Sequence, residues 1–389
     1  MAPEEFSREL QGVLSVGNLL AVGSIVLTVL LALAGMGIAI VRYRTGNIEW
    51  RVAITCGVIV GTMFAVYTAT SWPNVLFSYQ TQIAWPVFVG LSVLALTLGA
   101  VFYTVFVMFP TAAGESMARD HFPASILGFA DAVRGKIFNH QFGAAALRGY
   151  ALAAALLGFL TGFYWFAQRY MGAWLPAEGP HSEIFNNLFP FLTPLTISLV
   201  AAISEETIYR LFGISLFKKL SGSTAVALIV PAAIWAFGHS NYPVFPVYIR
   251  GIELTIAGVL FGLAFLHYGL VACIVAHYVF DAVALGMPLV TSGNSTYLIS
   301  GLVIMGLALV PGVAGFFAGR RAPGPTVCRA DPDSIQLTTR RWKEPDGTRR
   351  AHQSAAAGGL HGSMVGSCFP DRARSSPCYE PHAASVTSH

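Results

Sequence analysis

Charged side chains are scarce in this sequence. Asp, Glu, Lys and Arg make up only 11% of the 389 residues, whereas hydrophobic residues make up 55%, and the mean hydropathy is +0.62. This composition excludes an ordinary soluble globular protein and predicts a polytopic membrane protein. The net charge of +4 does not indicate a nucleic-acid partner, because residues 1–318 hold 13 basic and 13 acidic side chains and the basic excess lies in the tail.

Cysteine and an N-terminal basic segment are also lacking. The five cysteines have no CxxC spacing, which excludes a disulfide framework and a zinc ribbon. The first ten residues carry Glu4, Glu5 and Glu9 and have no basic n-region of a secretory signal peptide. The first apolar run is therefore predicted to be a retained transmembrane helix.

Long apolar runs, by contrast, are abundant, and they predict an all-α transmembrane bundle of about eight or nine spans. The runs occupy residues 13–41, 52–70, 83–109, 144–166, 191–217, 225–237, 247–266, 270–285 and 297–318. Every second loop is basic, with Arg169 and Arg250 as tolerated exceptions on the other side. The positive-inside rule then places the N-terminus outside and the C-terminus in the cytosol. We expect the plasma membrane of a prokaryote.

Three regions follow from this pattern. Residues 1–185 form N-terminal transmembrane helices, with a cytosolic interfacial amphipathic helix near 116–138, or alternatively a loop packed on the bundle. Residues 186–318 form the functional core. Residues 319–389 are poor in aliphatic side chains and are predicted to be a disordered cytosolic tail. Its basic pairs could contact anionic membrane lipid, although a solvated tail with no specific partner is the favoured interpretation.

Ionisable residues at membrane depth mark the candidate site, because such residues are costly in hydrocarbon. Glu206 and Arg210 are four residues apart and should pair on one face of the fifth span, leaving Glu205 free for chemistry. Two later spans carry His239, four residues after Trp235, and His277, four residues before Asp281. A hydrogen-bonded packing role is open for each histidine taken alone.

These ionisable residues are expected to lie at similar depths in the membrane. At about 1.5 Å per residue, Glu205, His239, His277 and Asp281 lie roughly 12 to 24 Å from the cytosolic helix ends. We therefore expect one intramembrane site in which Glu205 takes a proton from water and the histidines stabilise the oxyanion formed on an amide carbonyl. This chemistry is general-base peptide hydrolysis.

These motifs resemble those of the CAAX-processing and bacteriocin-processing (CPBP) family of intramembrane endopeptidases, which includes the type II CAAX prenyl proteases. Glu205 to Arg210 fits the family's EExxxR, Trp235 to His239 stands at its FxxxH, and His277 to Asp281 stands at its HxxxN or HxxxD. The resemblance covers roughly residues 190–290. It implies a glutamate-dependent enzyme without a metal cofactor, in which Glu205 is the base and Arg210 supports Glu206.

Two departures from the family pattern affect the chemistry. Trp235 replaces Phe and should keep an aromatic packing role. Asp281 replaces Asn, and because an ionised Asp cannot donate to an oxyanion, we expect it to orient His277 as an acceptor. Two histidines with carboxylates could also bind zinc, although no HExxH is present.

The substrate class follows from the site only in outline. We expect a membrane-associated protein or peptide, prenylated or not. Two alternatives from other classes remain, a proton- or ion-coupled transporter whose buried Glu, His and Asp form a relay, and a non-catalytic membrane scaffold that retains the pocket.

Overall fold

A computed structural model of the protein describes residues 4–175 and 182–321. Apart from one bridge between Trp174 and Phe245, these residues form helices and loops, which confirms the all-α prediction for this part of the chain. The helices are α1 (Glu4–Tyr43), α2 (Trp50–Thr70), α3 (Trp72–Phe77), α4 (Trp85–His121), α5 (Phe129–Val133), α6 (His140–Tyr170), α7 (Leu192–Glu205), a π-helix (Glu206–Ile214), α8 (Ser215–Ser221), α9 (Thr224–Phe237), α10 (Tyr248–Tyr268), α11 (Leu270–Val290), α12 (Ser295–Ala308) and α13 (Val310–Arg321).

Seven helical stretches of the described residues are long and apolar enough to cross a membrane. Six of them are single helices, and the seventh, Ser295–Phe317, joins α12 to most of α13. Two predicted runs fall outside this set. The run 191–217 forms α7, the π-helix and α8, which follow each other without a gap. The run 225–237 forms the 14-residue helix α9. The predicted span count is thus roughly consistent with the structure, and the protein is a multi-pass membrane protein. Which end of the bundle faces the cytosol stays a prediction.

The segment near 116–138 differs from the predicted single amphipathic helix. Helix α4 continues to His121, a 3₁₀ turn covers Pro123–Ile126, and α5 begins only at Phe129. Gly128 separates the last two with φ of 75°, a conformation that ends a right-handed helix. Phe129 is buried against the bundle. The segment is thus the end of α4 followed by two short helical pieces, and its place at the membrane interface stays a prediction.

The predicted tail begins at residue 319, but α13 extends to Arg321. The rest of the tail, residues 322–389, lies outside the described residues. Its predicted disorder and lipid contacts stay predictions.

Helix α4 packs closely against the π-helix at a glycine. A Cβ atom on Gly114 would lie 2.8 Å from the backbone N and Cα of Phe212. This spacing brings an N-terminal helix onto the segment that carries Glu206 and Arg210. The N-terminal half therefore supports the candidate site directly.

Gly114→Ala should lower the thermal stability of the detergent-solubilised protein, because the added methyl group must push two packed helices apart, at a cost of about 1–3 kcal/mol. Gly90→Ala is a matched control in the same helix, since no atom lies within 4 Å of a Cβ built there. The measurement is the unfolding temperature of both variants and the wild type. Equal unfolding temperatures for the two variants would contradict the close packing.

Candidate active site

The first motif lies where α7 gives way to the π-helix. Glu205 is the last residue of α7, and the nine residues of the π-helix, from Glu206 to Ile214, are all buried. π-helical turns are rare and often occur at functional sites. The change of helix type therefore coincides with the stretch that the sequence marks as an intramembrane charge cluster.

Arg210 is held inside the bundle by an ion pair and two aromatic rings. Its side chain is 2% exposed, and its Nη1 lies 3.2 Å from Oε1 of Glu206, which is fully buried. Its guanidinium carbon lies 4.4 Å from the ring centroid of Trp235 and 4.8 Å from that of Phe261. The Glu206–Arg210 pair is thus present as predicted, and the aromatic faces add cation–π stabilisation to it.

His277 is surrounded by carboxylates. Its Nδ1 lies 2.8 Å from Glu206 Oε1, and its Nε2 lies 3.4 Å from Asp281 Oδ2 and 3.8 Å from Glu205 Oε2. We expected Asp281 to accept the hydrogen bond that orients the His277 ring. Glu206 accepts it instead, because Nδ1 of the ring faces the π-helix. Three nearby carboxylates stabilise a positive charge on this ring.

Glu205 has a partner that the sequence pattern did not indicate. The indole Nε1–H of Trp235 donates a hydrogen bond to Glu205 Oε2. Sequence reasoning assigned Trp235 an aromatic packing role only. The available signal was the indole N–H itself, which usually finds an acceptor when it is buried.

The hydrogen bond of His239 determines how its ring can act. Its Nδ1 lies 2.9 Å from the backbone oxygen of Trp235. Because a carbonyl oxygen only accepts, the proton belongs on Nδ1, and Nε2 of the neutral ring is an acceptor. The predicted oxyanion donor role of His239 would thus require a protonated ring, whereas an acceptor role does not.

A single cavity brings the predicted residues together. It has a volume of about 1010 Å³ and is lined by Glu205, His239, His277 and Asp281. Much of the remaining wall is apolar and comes from N-terminal helices, including Ile25, Val29, Phe102, Phe106, Phe159 and Leu160. The expected convergence of the three motifs is present, and helices outside the motifs complete the enclosure.

A second pair of charged residues, Arg250 and Glu253, lines the same cavity, and the sequence analysis did not identify it. Arg250 and Glu253 lie on the first turns of α10, with Arg250 Nη1 2.5 Å from Glu253 Oε2. The sequence interpretation counted Arg250 only as a tolerated exception to the positive-inside pattern. The i,i+3 spacing of opposite charges in an apolar run was the signal that could have identified the pair.

The donor set does not favour the zinc alternative. Among the described residues, no group of three or more His, Cys, Asp or Glu side chains is arranged to hold a metal ion. A protein zinc site usually needs three or four such ligands. We derive no step through zinc, and the absence of a metal cofactor stays a prediction.

Comparison with known proteins finds the resemblance in the same region. Residues 187–283 match the family model of the type II CAAX prenyl endopeptidases, described as Rce1-like. The chain is also 33% identical over 112 residues to the sporulation-killing factor biosynthesis protein SkfC of Bacillus subtilis (strain 168). That match spans 29% of this chain and only 23% of SkfC. No solved structure matches the chain.

These comparisons confirm the CPBP resemblance predicted from the three motifs. The matched residues begin in front of α7 and end within α11, so they include all six predicted site residues. The helices before residue 187, which supply much of the cavity wall, lie outside the family match.

Proposed function

We propose that the protein is an intramembrane endopeptidase that hydrolyses peptide bonds of membrane-associated proteins or peptides through a water activated by Glu205. The observation that carries the proposal is the cavity that Glu205 and His277 share. In it, Glu205 accepts a hydrogen bond from the Trp235 indole and lies 3.8 Å from His277 Nε2. The Rce1-like family match supports the same class of reaction. The proposed substrates include prenylated and unprenylated peptides.

Glu205 acts as the general base. The Trp235 N–H holds Oε2, which fixes the carboxylate plane and leaves Oε1 for a water molecule. The carboxylate takes one proton as the water oxygen attacks the carbonyl carbon of the substrate. It later returns this proton to the leaving amine nitrogen, so that the C–N bond breaks and Glu205 is again ionised.

His277 stabilises the tetrahedral intermediate. Glu206 accepts from its Nδ1 and holds the ring, while Arg210 pairs with Glu206. Nε2 of the protonated ring then donates towards the cavity, where the oxyanion forms. Because Asp281 lies on the same side of the ring, it helps to hold the positive charge there and does not itself donate.

His239 positions a water or an amine in the cavity. With its proton on Nδ1, its Nε2 accepts a hydrogen bond from a water or amine in the cavity. We assign it a water- or amine-positioning role rather than the oxyanion role, because a neutral ring in this tautomer has no donor left for an oxyanion.

The proposal is tested by comparing membrane-associated peptides in cells with and without the protein. New peptide termini that appear only with the protein should identify the cleaved bond, and the purified protein should cleave the corresponding synthetic peptide.

Cleavage should persist after dialysis against a metal chelator, since no step uses a metal. A chelator-sensitive reaction restored by zinc would favour the zinc alternative, and solute flux without any cleavage would favour a transporter.

Trp235→Phe should lower the turnover number for such a peptide about tenfold or more while leaving its KM nearly unchanged. The substitution keeps an aromatic ring beside Arg210 but removes the hydrogen bond to the base, and a misplaced catalytic group costs rate rather than binding. Steady-state kinetics in detergent or vesicles checks the prediction.

Trp72→Phe is the matched control, since Trp72 lies in α3 and does not line the cavity. Its kinetics should equal those of the wild type. If Trp235→Phe also retained the full turnover number, the proposed positioning of Glu205 by the indole would be wrong.

A further inference from the structure

Helix α4 contributes a tyrosine to the catalytic cavity that has no part in the hydrolysis described so far. Tyr103 lines the same cavity as Glu205 and His277, and its side chain is partly exposed. It lies outside residues 187–283, which match the family model. A role of Tyr103 in the reaction would therefore come from the N-terminal helices rather than from the matched region.

Close packing between α2 and α4 holds the ring of Tyr103. The ring stacks on that of Phe64, with the centroids 4.5 Å apart and the planes at 25°. Phe64 in turn lies against Gly99, four residues before Tyr103 in α4, where a Cβ atom would be 2.6 Å from the Phe64 ring. The hydroxyl is thus held in place before a ligand arrives, as an effective transition-state donor must be.

The hydroxyl of Tyr103 makes no hydrogen bond within the part of the chain that the structure describes. Its ring contacts Phe64 and Phe102. Its oxygen is accessible, since it is not among the buried polar atoms that lack a partner. Other hydroxyl groups in the cavity wall hydrogen-bond to protein oxygen atoms, namely those of Thr28, Ser204, Tyr209 and Tyr164. Because a phenol donates one hydrogen bond, that of Tyr103 is available to a molecule in the cavity.

The hydrolytic centre is rich in acceptors and poor in donors. Nε2 of His277 lies 3.4 Å from Asp281 Oδ2 and 3.8 Å from Glu205 Oε2, so two carboxylates compete with an oxyanion for its single proton. The Nδ1 proton of His239 is already engaged by the backbone oxygen of Trp235. The tetrahedral intermediate places a further negative charge in this setting, and such charges are commonly stabilised by several donors.

We propose that Tyr103 is a catalytic residue whose hydroxyl donates a hydrogen bond to the carbonyl oxygen of the scissile peptide bond. This proposal rests on the proposed function, since the oxyanion exists only if a peptide bond is hydrolysed. The Tyr103 hydroxyl and the Glu205 carboxylate are close enough to interact electrostatically. Water held by Glu205 attacks the carbonyl carbon, while Tyr103 and His277 hold the oxygen. The hydroxyl keeps its proton, and the hydrogen bond strengthens as the oxygen gains charge.

Tyr103→Phe should lower the turnover number about 10²-fold for the synthetic peptide that the new termini identify, because it removes an oxyanion donor. KM should stay nearly unchanged, since the hydrogen bond is strongest in the transition state. The variant keeps the ring that stacks on Phe64, so its unfolding temperature should equal that of the wild type. Tyr170→Phe removes an exposed hydroxyl outside the cavity and is the matched control with wild-type kinetics.

A thioamide in place of the scissile amide separates an oxyanion donor from a structural role. Sulfur accepts hydrogen bonds only weakly, so a hydroxyl that binds the carbonyl oxygen contributes little to cleavage of the thioamide peptide. The ratio of the amide rate to the thioamide rate should therefore fall about tenfold or more in Tyr103→Phe. A packing defect, or a hydroxyl that holds the attacking water, would lower both rates and leave the ratio unchanged.

Full turnover by Tyr103→Phe, or an unchanged rate ratio, would overturn the role of Tyr103. Glu205→Gln would still abolish cleavage in that case, so the proposed hydrolysis would stand. Full cleavage by Glu205→Gln would instead overturn the proposed hydrolysis. The rate ratio does not depend on the folded fraction, so it decides the question even if Tyr103→Phe is less stable than expected.

Discussion

Glu205→Gln should abolish peptide cleavage while the protein stays folded and inserted. The amide is nearly the same size as the carboxylate and can still accept from the Trp235 N–H, but it cannot take a proton from water. Loss of a general base lowers the rate by a factor of about 10² to 10⁴. The measurement is the cleavage rate of an identified peptide by the purified variant.

Two observations make this test specific. Glu205 keeps 23% of its side-chain surface exposed towards the cavity, whereas Glu206 is fully buried and paired. The substitution should therefore leave the unfolding temperature close to that of the wild type. Glu49→Gln replaces a partly exposed carboxylate that pairs with Arg134 and serves as a matched control with full activity expected. Full cleavage by Glu205→Gln would show that Glu205 is not the base.

Arg210→Ala should destabilise the protein strongly, by about 3–5 kcal/mol, because it leaves the Glu206 carboxylate buried without its charge partner. The change also removes the cation that lies against the rings of Trp235 and Phe261. Arg210→Lys should be intermediate, since it keeps the charge but loses the planar group. A smaller folded fraction and a lower unfolding temperature are the expected results.

Buried cysteines provide the readout for this unfolding measurement. Cys56 and Cys273 are both free and buried, so a thiol-reactive dye should label them only when the bundle opens. The three remaining cysteines, Cys328, Cys368 and Cys378, would first be replaced by Ser. Arg169→Ala at an exposed position is the control and should change little. An Arg210→Ala protein as stable as this control would show that the buried ion pair is not needed for the fold.

The two experiments separate the parts of the charge cluster. Arg210 and Glu206 hold the structure and the ring of His277, so their loss should affect folding and activity together. Glu205 should affect activity alone. A variant set that showed the same loss of stability at all three positions would contradict this division.

Much of the site could be predicted from the sequence because the motifs are local. A pair four residues apart shares a helix face whatever the helix packs against, and Glu206–Arg210 does so even though its segment is a π-helix. Ionisable residues in apolar runs are costly enough to indicate the site by themselves. The order and spacing of three such motifs identified the resemblance that the family comparison confirms.

Other features required the contacts between helices. The sequence could not show that Glu206 rather than Asp281 holds His277, since that depends on how α11 is rotated against the π-helix. It placed Trp235 near the site for its ring but could not show which atom its N–H would meet. Arg250 was counted as a tolerated exception to the charge pattern, because the sequence could not show that its side chain would line the cavity of the site.

The sequence by itself determined the all-α membrane class and the multi-pass organisation, and it indicated six candidate site residues, because hydropathy, helical spacing and the cost of buried charge act within single segments. Only the tertiary structure decided which nitrogen of each histidine is engaged, that the indole holds Glu205, and that Arg250 and Glu253 share the cavity. The physical reason is that a hydrogen bond depends on atom positions to a fraction of an ångström. Such positions arise when helices distant in the sequence pack together.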